Sequence, residues 1–225
     1  MRSTSHPPVK LSQIPLQPTL WLAVLGLLLP LMGFGWLAED VWSHQSLAWD
    51  NGLLLAIHSH ASATLDRWMV GVSLVGGAKG MFLLVAGVLG YLAWQRRWMQ
   101  AVFFAVATGG AEAMNLGLKA IFHRARPDLW LSPTPEHDYS FPSGHAMGVV
   151  AVMTALVVLA WPTRWRWWVL GLGTLFALTV SFSRLYLGVH FPSDVLAGWG
   201  VSLAWVTALL LVFGTRGHHL LSRKP

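Results

Sequence analysis

Three short stretches hold most of the residues that could do chemistry. Lys119 to Pro127 reads K-A-I-F-H-R-A-R-P, Pro142 to His145 reads P-S-G-H, and Ser183 to Asp194 reads S-R-L-Y-L-G-V-H-F-P-S-D. Lys119, Arg126 and Arg184 are cations beside or within apolar runs. An unpaired charge there costs at least ~2.5 kcal/mol. Snorkelling towards headgroups accounts for one such cation, but poorly for three that converge. A bound phosphate accounts for all three. Arginine suits it because its planar fork donates two parallel hydrogen bonds to phosphate oxygens.

The second stretch opens an apolar run, so Ser143, Gly144 and His145 sit at a predicted helix N-terminus. Free backbone N–H groups and the positive dipole end make such a terminus an anion site. Gly144 allows close backbone approach, and Ser143 can cap the helix or bond a phosphate oxygen. In the third stretch Asp194 follows His190 by four residues, with Pro192 between them. A carboxylate on Nδ1–H fixes the tautomer and leaves Nε2 as a nucleophile. A His–Asp pair offers too few ligands for a metal ion, and the neighbouring cations repel one, so no metal is expected. His44, His58, His60, His218 and His219 carry no such company and read as structural. Glu112 is an acid in mid-helix, a functional hypothesis in a membrane segment. With Asn115 and Lys119 it follows an i, i+3, i+7 spacing that predicts one shared face. It reads either as a support or substrate-headgroup residue, or as a protonated or hydrogen-bonded packing residue.

These residues must be positioned by membrane-spanning helices. Of 225 residues 55% are hydrophobic and 11% charged, and the mean hydropathy is +0.54. Soluble domains carry about 25% charged residues. Runs of about 20 apolar residues cross ~30 Å of hydrocarbon. Six are expected: Thr19 to Ala38, a run from beyond Arg67 to Trp94, Met99 to Phe122, Ser143 to Trp161, Trp167 to Leu187, and Ser193 to Phe213. The second is interrupted by Gly76, Gly77 and Lys79, so it fits a short outer helix plus a span, or one bent helix. Glu39 to Ala63 mixes Trp42, Trp49, Leu53, Leu54 and Ile57 with Asp40, Asp50, His58 and His60. It reads as an amphipathic helix on the outer membrane surface. The fold expected is thus all-α: one membrane domain, 1–225, of six transmembrane helices with that surface segment. Tails at 1–18 and 214–225 are expected to be cytoplasmic. The first run is long for a signal peptide and no small-x-small site follows, so it is expected to be retained.

Charge sets the orientation. Arg2, Lys10, Arg96, Arg97, Arg164, Arg166, Arg216, Arg223 and Lys224 fall on one side, nine of the fifteen Lys and Arg, and none of the nine Asp and Glu joins them. That side is cytoplasmic by the positive-inside rule. Trp94, Trp98, Trp161, Trp165, Trp167 and Trp168 flank its loops, as indoles do at headgroup level. The net charge of +6 therefore has a topological use, and nucleic-acid binding is not expected. Lys119, Arg124, Arg126 and Arg184 lie on the opposite side and need another explanation. There are no cysteines, which excludes disulfides and thiolate chemistry.

The pattern K-x6-R-P, then P-S-G-H, then S-R-x5-H-x3-D resembles the type 2 phosphatidic acid phosphatase family, whose site is shared with vanadium haloperoxidases. The resemblance covers about Glu112 to Trp199, while the first 95 residues match in layout only. It implies that Lys119, Arg126 and Arg184 hold the phosphate oxygens and that Ser143 and the Gly144 amide complete the cradle. It implies that His190 attacks phosphorus to give a phosphohistidine and that Asp194 orients His190. His145 would protonate the leaving oxygen and then activate water. Neither metal nor cofactor is implied. Substrates such as undecaprenyl diphosphate, phosphatidylglycerol phosphate or phosphatidic acid follow from the resemblance. With the orientation set by charge, the site is expected on the outer face of the membrane, a bacterial inner membrane by compact size and short loops. A lipid phosphotransferase with the same site, or a catalytically dead lipid-binding or transport protein, stands as the alternative. Acceptor choice and oligomeric state are not legible.

Overall fold

The computed structural model describes residues 16–43 and 48–216. Most of the two expected tails, with Arg2, Lys10, Arg223, Lys224, His44, His218 and His219, lies outside them. Helix α1 (Leu16–Ala23) runs through a π-helical turn (Val24–Leu28) into α2 (Leu29–Trp42). Pro30 stands at the start of α2 and has no N–H to return to Gly26, four residues earlier. A proline removes that rung of the ladder, and the wider turn precedes it. The remaining helices are α3 (Ala48–His58), α4 (Ala63–Gly76), α5 (Ala78–Trp94), α6 (Trp98–Phe122), α7 (Gly144–Ala160), α8 (Arg166–Tyr186) and α9 (Pro192–Arg216).

Four helices, Leu20–Trp42, Trp98–Phe122, Arg166–Tyr186 and Pro192–Phe213, are long and apolar enough to cross a membrane. The pair α4–α5, bent by 42° at a one-residue break, gives a fifth if it counts as one span. The second run is thus broken at Gly77 into a 14-residue and a 17-residue helix, which fits either of its two readings. The expected count of six is not reached by length. The sixth candidate, α7, has 17 residues, about 26 Å at the α-helical rise, short of the hydrocarbon thickness. It is the innermost helix, lying against α6, α8 and α9, with Ala146, Val149, Ala151 and Ala155 fully buried. Small residues let α7 approach its neighbours closely, the packing mode of helices that gain nothing by hiding from lipid.

The outer surface carries Leu20, Met32, Phe82, Leu83, Leu116, Leu172, Leu175 and Val212, all exposed. So continuous an apolar surface suits lipid rather than water, and the chain is an integral membrane protein. At the end bearing the α5–α6 and α7–α8 turns, Trp94, Trp98, Trp161, Trp165, Trp167 and Trp168 are also exposed. Arg166 lies over the rings of Trp161 and Trp167, at 5.9 and 5.4 Å. The cationic turns are thus built into the indole belt.

The expected amphipathic segment is divided. Glu39 to Trp42 finish α2, and only α3 lies apart as a short helix. It is amphipathic, with Trp49 and Leu53 exposed, but its inner face is buried at Asp50 and Leu54. It packs on α8 and α9, and Ile57 reaches the cluster of Tyr186, Leu187 and Val189.

Candidate active site

The end of α6, the start of α7, the end of α8 and the start of α9 all lie at the bundle end opposite the tryptophan belt. Between α6 and α7 the segment 123–143 runs without helix and folds back over this end. The three motifs therefore meet, because each occupies a helix terminus on one side of an antiparallel bundle.

The cations come first. Lys119 is the last core-facing residue of α6 and pairs with Asp138 of the 123–143 segment. Arg126 donates to Asp138 Oδ1 at 2.5 Å and Glu136 Oε2 at 2.7 Å, and to the backbone oxygens of Asp138 and Val189 at 2.8 and 2.6 Å. Arg184 is 1% exposed, and its guanidinium bonds both Ser73 Oγ of α4 and Glu136 Oε1. Its Nε–H is buried with no acceptor among the described residues. A buried donor left open is costly, and Glu136 ties the Arg184 guanidinium to Arg126, a second cation.

Glu136 thus bridges Arg126 and Arg184 and comes within 3.9 Å of His190 Nε2. Burial raises its pKa, yet Arg184, Arg126 and His190 together outweigh that and hold it below the usual carboxylate range. Asp138 is likewise raised by burial but brought down to about 2 by its bonds to Lys119 and Arg126.

His190 lies in the α8–α9 turn, 1% exposed. Arg126 Nη1 is 3.1 Å from its Nε2, and Asp194 Oδ2 is 3.4 Å from its Nδ1. A guanidinium only donates, so Nε2 carries the lone pair and the proton sits on Nδ1, facing the carboxylate. Burial, then Arg126 and Arg184, lower the His190 pKa well below its ordinary value. The ring is neutral at pH 7, with its free lone pair turned towards the cations. The turn is tight: Gly188 adopts φ +67°, and a Cβ there would lie 2.6 Å from the Trp130 ring. The second histidine, His145, is partly buried at the first turn of α7, and its ring bonds the Ser73 backbone. The bend at Gly77 makes room for it, since a Cβ at Gly77 would lie 3.0 Å from His145 Nε2.

Ser143 caps α7, its Oγ accepting from Ala146 N at 3.5 Å, and its own N–H donates to the Asp194 carbonyl at 3.0 Å. Gly144 is packed against Asn115, whose amide donates to the Pro142 carbonyl at 3.0 Å; a Cβ at Gly144 would meet Asn115 Oδ1 at 2.9 Å. The structure therefore brings together Lys119, Arg126, Ser143, Gly144, His145, Arg184, His190 and Asp194.

It does not bring Glu112 to them. The buried row of α6 is Phe103, Ala107, Ala111, Asn115 and Lys119. A row of every fourth residue drifts about 40° around the helix per step. The direction shared by residues 112 and 119 therefore faces the core only near Lys119, and Glu112 is exposed. Glu112 thus shares the direction of Lys119 but not its buried setting, and it stands apart from the cluster.

Sequence spacing missed four residues. Arg124 bonds Asp194 Oδ1 at 2.5 Å and Asp50 Oδ2 at 2.8 Å, and Glu136 and Asp138 hold the cations. Arg124 had a signal, a cation on the side poor in them; Glu136 and Asp138 had none beyond lying near the motifs, and Asp50 had none.

A model of the PAP2 superfamily matches residues 100–218. An undecaprenyl-diphosphatase of Sulfolobus acidocaldarius is 29% identical over 180 residues, 79% of this chain and 84% of that protein. Phosphatidylglycerophosphatase B of Bacillus subtilis is 28% identical over 145 residues, 62% of this chain and 70% of that protein. The crystal structure of a transmembrane PAP2-type phosphatidylglycerolphosphate phosphatase from Bacillus subtilis has the same fold, with a TM-score of 0.74 at 23% identity over 84% of this chain and 98% of that one. A family model spanning more than half of the chain, on a site of this composition, makes it a member of the PAP2 superfamily and a membrane-embedded hydrolase of phosphate esters.

Proposed function

We propose that the chain hydrolyses a lipid phosphomonoester or diphosphate through a phosphohistidine at His190. The observation that carries this is the neutral, buried imidazole with Asp194 on Nδ1 and its Nε2 lone pair among cations. In this reading Lys119, Arg126 and Arg184 take the phosphate oxygens, with Ser143 and the Gly144 N–H completing the cradle. Substrate phosphate displaces Glu136 and Asp138 from those cations. His190 Nε2 attacks phosphorus; the N–P bond forms as the bond to the leaving oxygen breaks, and His145 gives that oxygen its proton. Water then attacks phosphorus, His145 takes the proton, and the N–P bond breaks to release phosphate. Three fixed cations neutralise the developing charge that a metal ion neutralises in other phosphoryl transfers.

The substrate is proposed to be an isoprenoid diphosphate such as undecaprenyl diphosphate, or a glycerophospholipid such as phosphatidylglycerol phosphate or phosphatidic acid. The names of the relatives support both classes. The site is proposed to open on the outer face of a bacterial inner membrane, with both termini inside, because the arginine turns and tryptophan belt lie at the opposite end. A panel of purified lipid phosphates in detergent tests the activity: phosphate release from at least one is expected, and release from none contradicts it. A cysteine replacing Leu131 should react with an impermeant thiol reagent on intact spheroplasts, and one replacing Arg164 should not. The reverse pattern overturns the orientation.

A further inference from the structure

We infer that Asp50 is a positioning residue for this reaction, acting through Arg124 to hold Asp194, and thereby His190, in a charged and oriented state. The inference rests on the proposed role of His190. Asp50 belongs to α3, outside the three motifs and 144 positions before Asp194, yet it is 2% exposed. Its Oδ1 accepts from Ser193 N at 3.0 Å, and its Oδ2 accepts from Ser193 Oγ at 2.5 Å and Arg124 Nη2 at 2.8 Å. Arg124 Nη1 donates in turn to Ser193 Oγ at 2.7 Å and Asp194 Oδ1 at 2.5 Å, and its guanidinium lies 4.1 Å over the Phe191 ring. Asp194 Oδ2 takes the Phe191 N–H at 2.8 Å and faces His190 Nδ1. The arrangement is a continuous chain, Asp50–Arg124–Asp194–His190, with Ser193 bracing its first half.

Charge explains what the first link does. Arg124 alone would neutralise Asp194, and His190 would face a pair with no net charge. Asp50 offsets Arg124, so the three groups together present one negative charge to the imidazole. That charge matters most when the ring becomes cationic, which happens as the N–P bond forms on a ring already faced by Lys119, Arg126 and Arg184. Asp50 touches none of those three in the contacts above. Its effect therefore belongs to the transition state and the phosphoenzyme, not to ground-state phosphate binding.

The test uses the full chain in detergent and the lipid phosphate it cleaves fastest. Asp50→Asn keeps volume and an acceptor while removing the charge. We expect kcat to fall about 10- to 100-fold with KM within about 2-fold. Inhibition by vanadate, which adopts the shape of the phosphoryl transition state, should weaken by a similar factor, and inhibition by inorganic phosphate should not. Arg124→Gln should behave alike, and the double variant should be no worse than the poorer single one. A wild-type kcat, equal losses of vanadate and phosphate affinity, or losses that multiply in the double variant overturns the inference. Should Asp50→Asn not fold, Arg124→Lys retains the charge but not the fork that reaches both carboxylates; the same kcat loss at constant KM is expected, and wild-type kcat overturns it. His190→Ala in the same assay separates the two levels. Loss there with none at Asp50→Asn contradicts this inference alone. Turnover surviving in His190→Ala contradicts the role of His190 and this inference with it.

Discussion

Arg126 Nη1 donates to both the Val189 carbonyl and His190 Nε2, at 2.6 and 3.1 Å, so one guanidinium N–H pair fixes the turn that carries the histidine and points at its lone pair. A bound phosphate takes the place of the second contact. Arg126→Lys keeps the charge and removes the fork. It should lower kcat/KM about 100-fold, as the loss of one preorganised donor does. Phosphate release from the preferred lipid measures it, and a loss under about 3-fold contradicts a donor role for Arg126.

Glu136 competes for the same cations. It bridges Arg126 and Arg184 and is held ionised by them. Glu136→Gln weakens that competition without changing size. Inorganic phosphate should then inhibit at about 5-fold lower concentration, roughly 1 kcal/mol, the scale of a partly exposed ion pair. KM for the lipid should fall in parallel. Unchanged or weaker inhibition contradicts displacement of Glu136 by phosphate.

The pH profile follows from His190. Attack needs the neutral ring. Burial, Arg126 and Arg184 lower its pKa well below 6.5, with Lys119 adding to the lowering and Glu136 opposing it; Asp194 is the other charged group that faces the ring. A lowered pKa means the neutral form persists to lower pH. After correction for the ionisation of the substrate and of the general acid His145, kcat/KM should show no acid limb at 6.5 and decline only further down. An acid limb centred at or above 6.5 contradicts a buried His190 as the essential nucleophile.

Gly144 has a packing requirement independent of chemistry. A Cβ there lies 2.9 Å from Asn115 Oδ1, whereas one at Gly87 meets nothing within 4 Å. Gly144→Ala should destabilise the protein by about 1–3 kcal/mol, as overpacking does, and Gly87→Ala should not. Thermal unfolding in detergent compares them; equal melting temperatures contradict the close approach.

The motif residues were legible because each sits at a helix end fixed by local signals: the apolar run ending at Lys119, Pro142 and Ser143 opening α7, and Pro192 opening α9. Their partners were not. Ser73 meets Arg184 across 111 positions and Asp50 meets Ser193 across 143, and no periodicity announces such pairs. The break at Gly77 was foreseen, but not that it seats His145. Glu112 was misplaced because spacing gives direction around a helix, not which part of that direction a crossing neighbour covers.

The proposed mechanism turns on His190 as the nucleophile. Phosphate release by His190→Ala, in protein that inserts and unfolds like the wild type, tests it most directly. The rate should fall at least ~100-fold. Turnover near the wild-type rate would rule out His190 as the nucleophile.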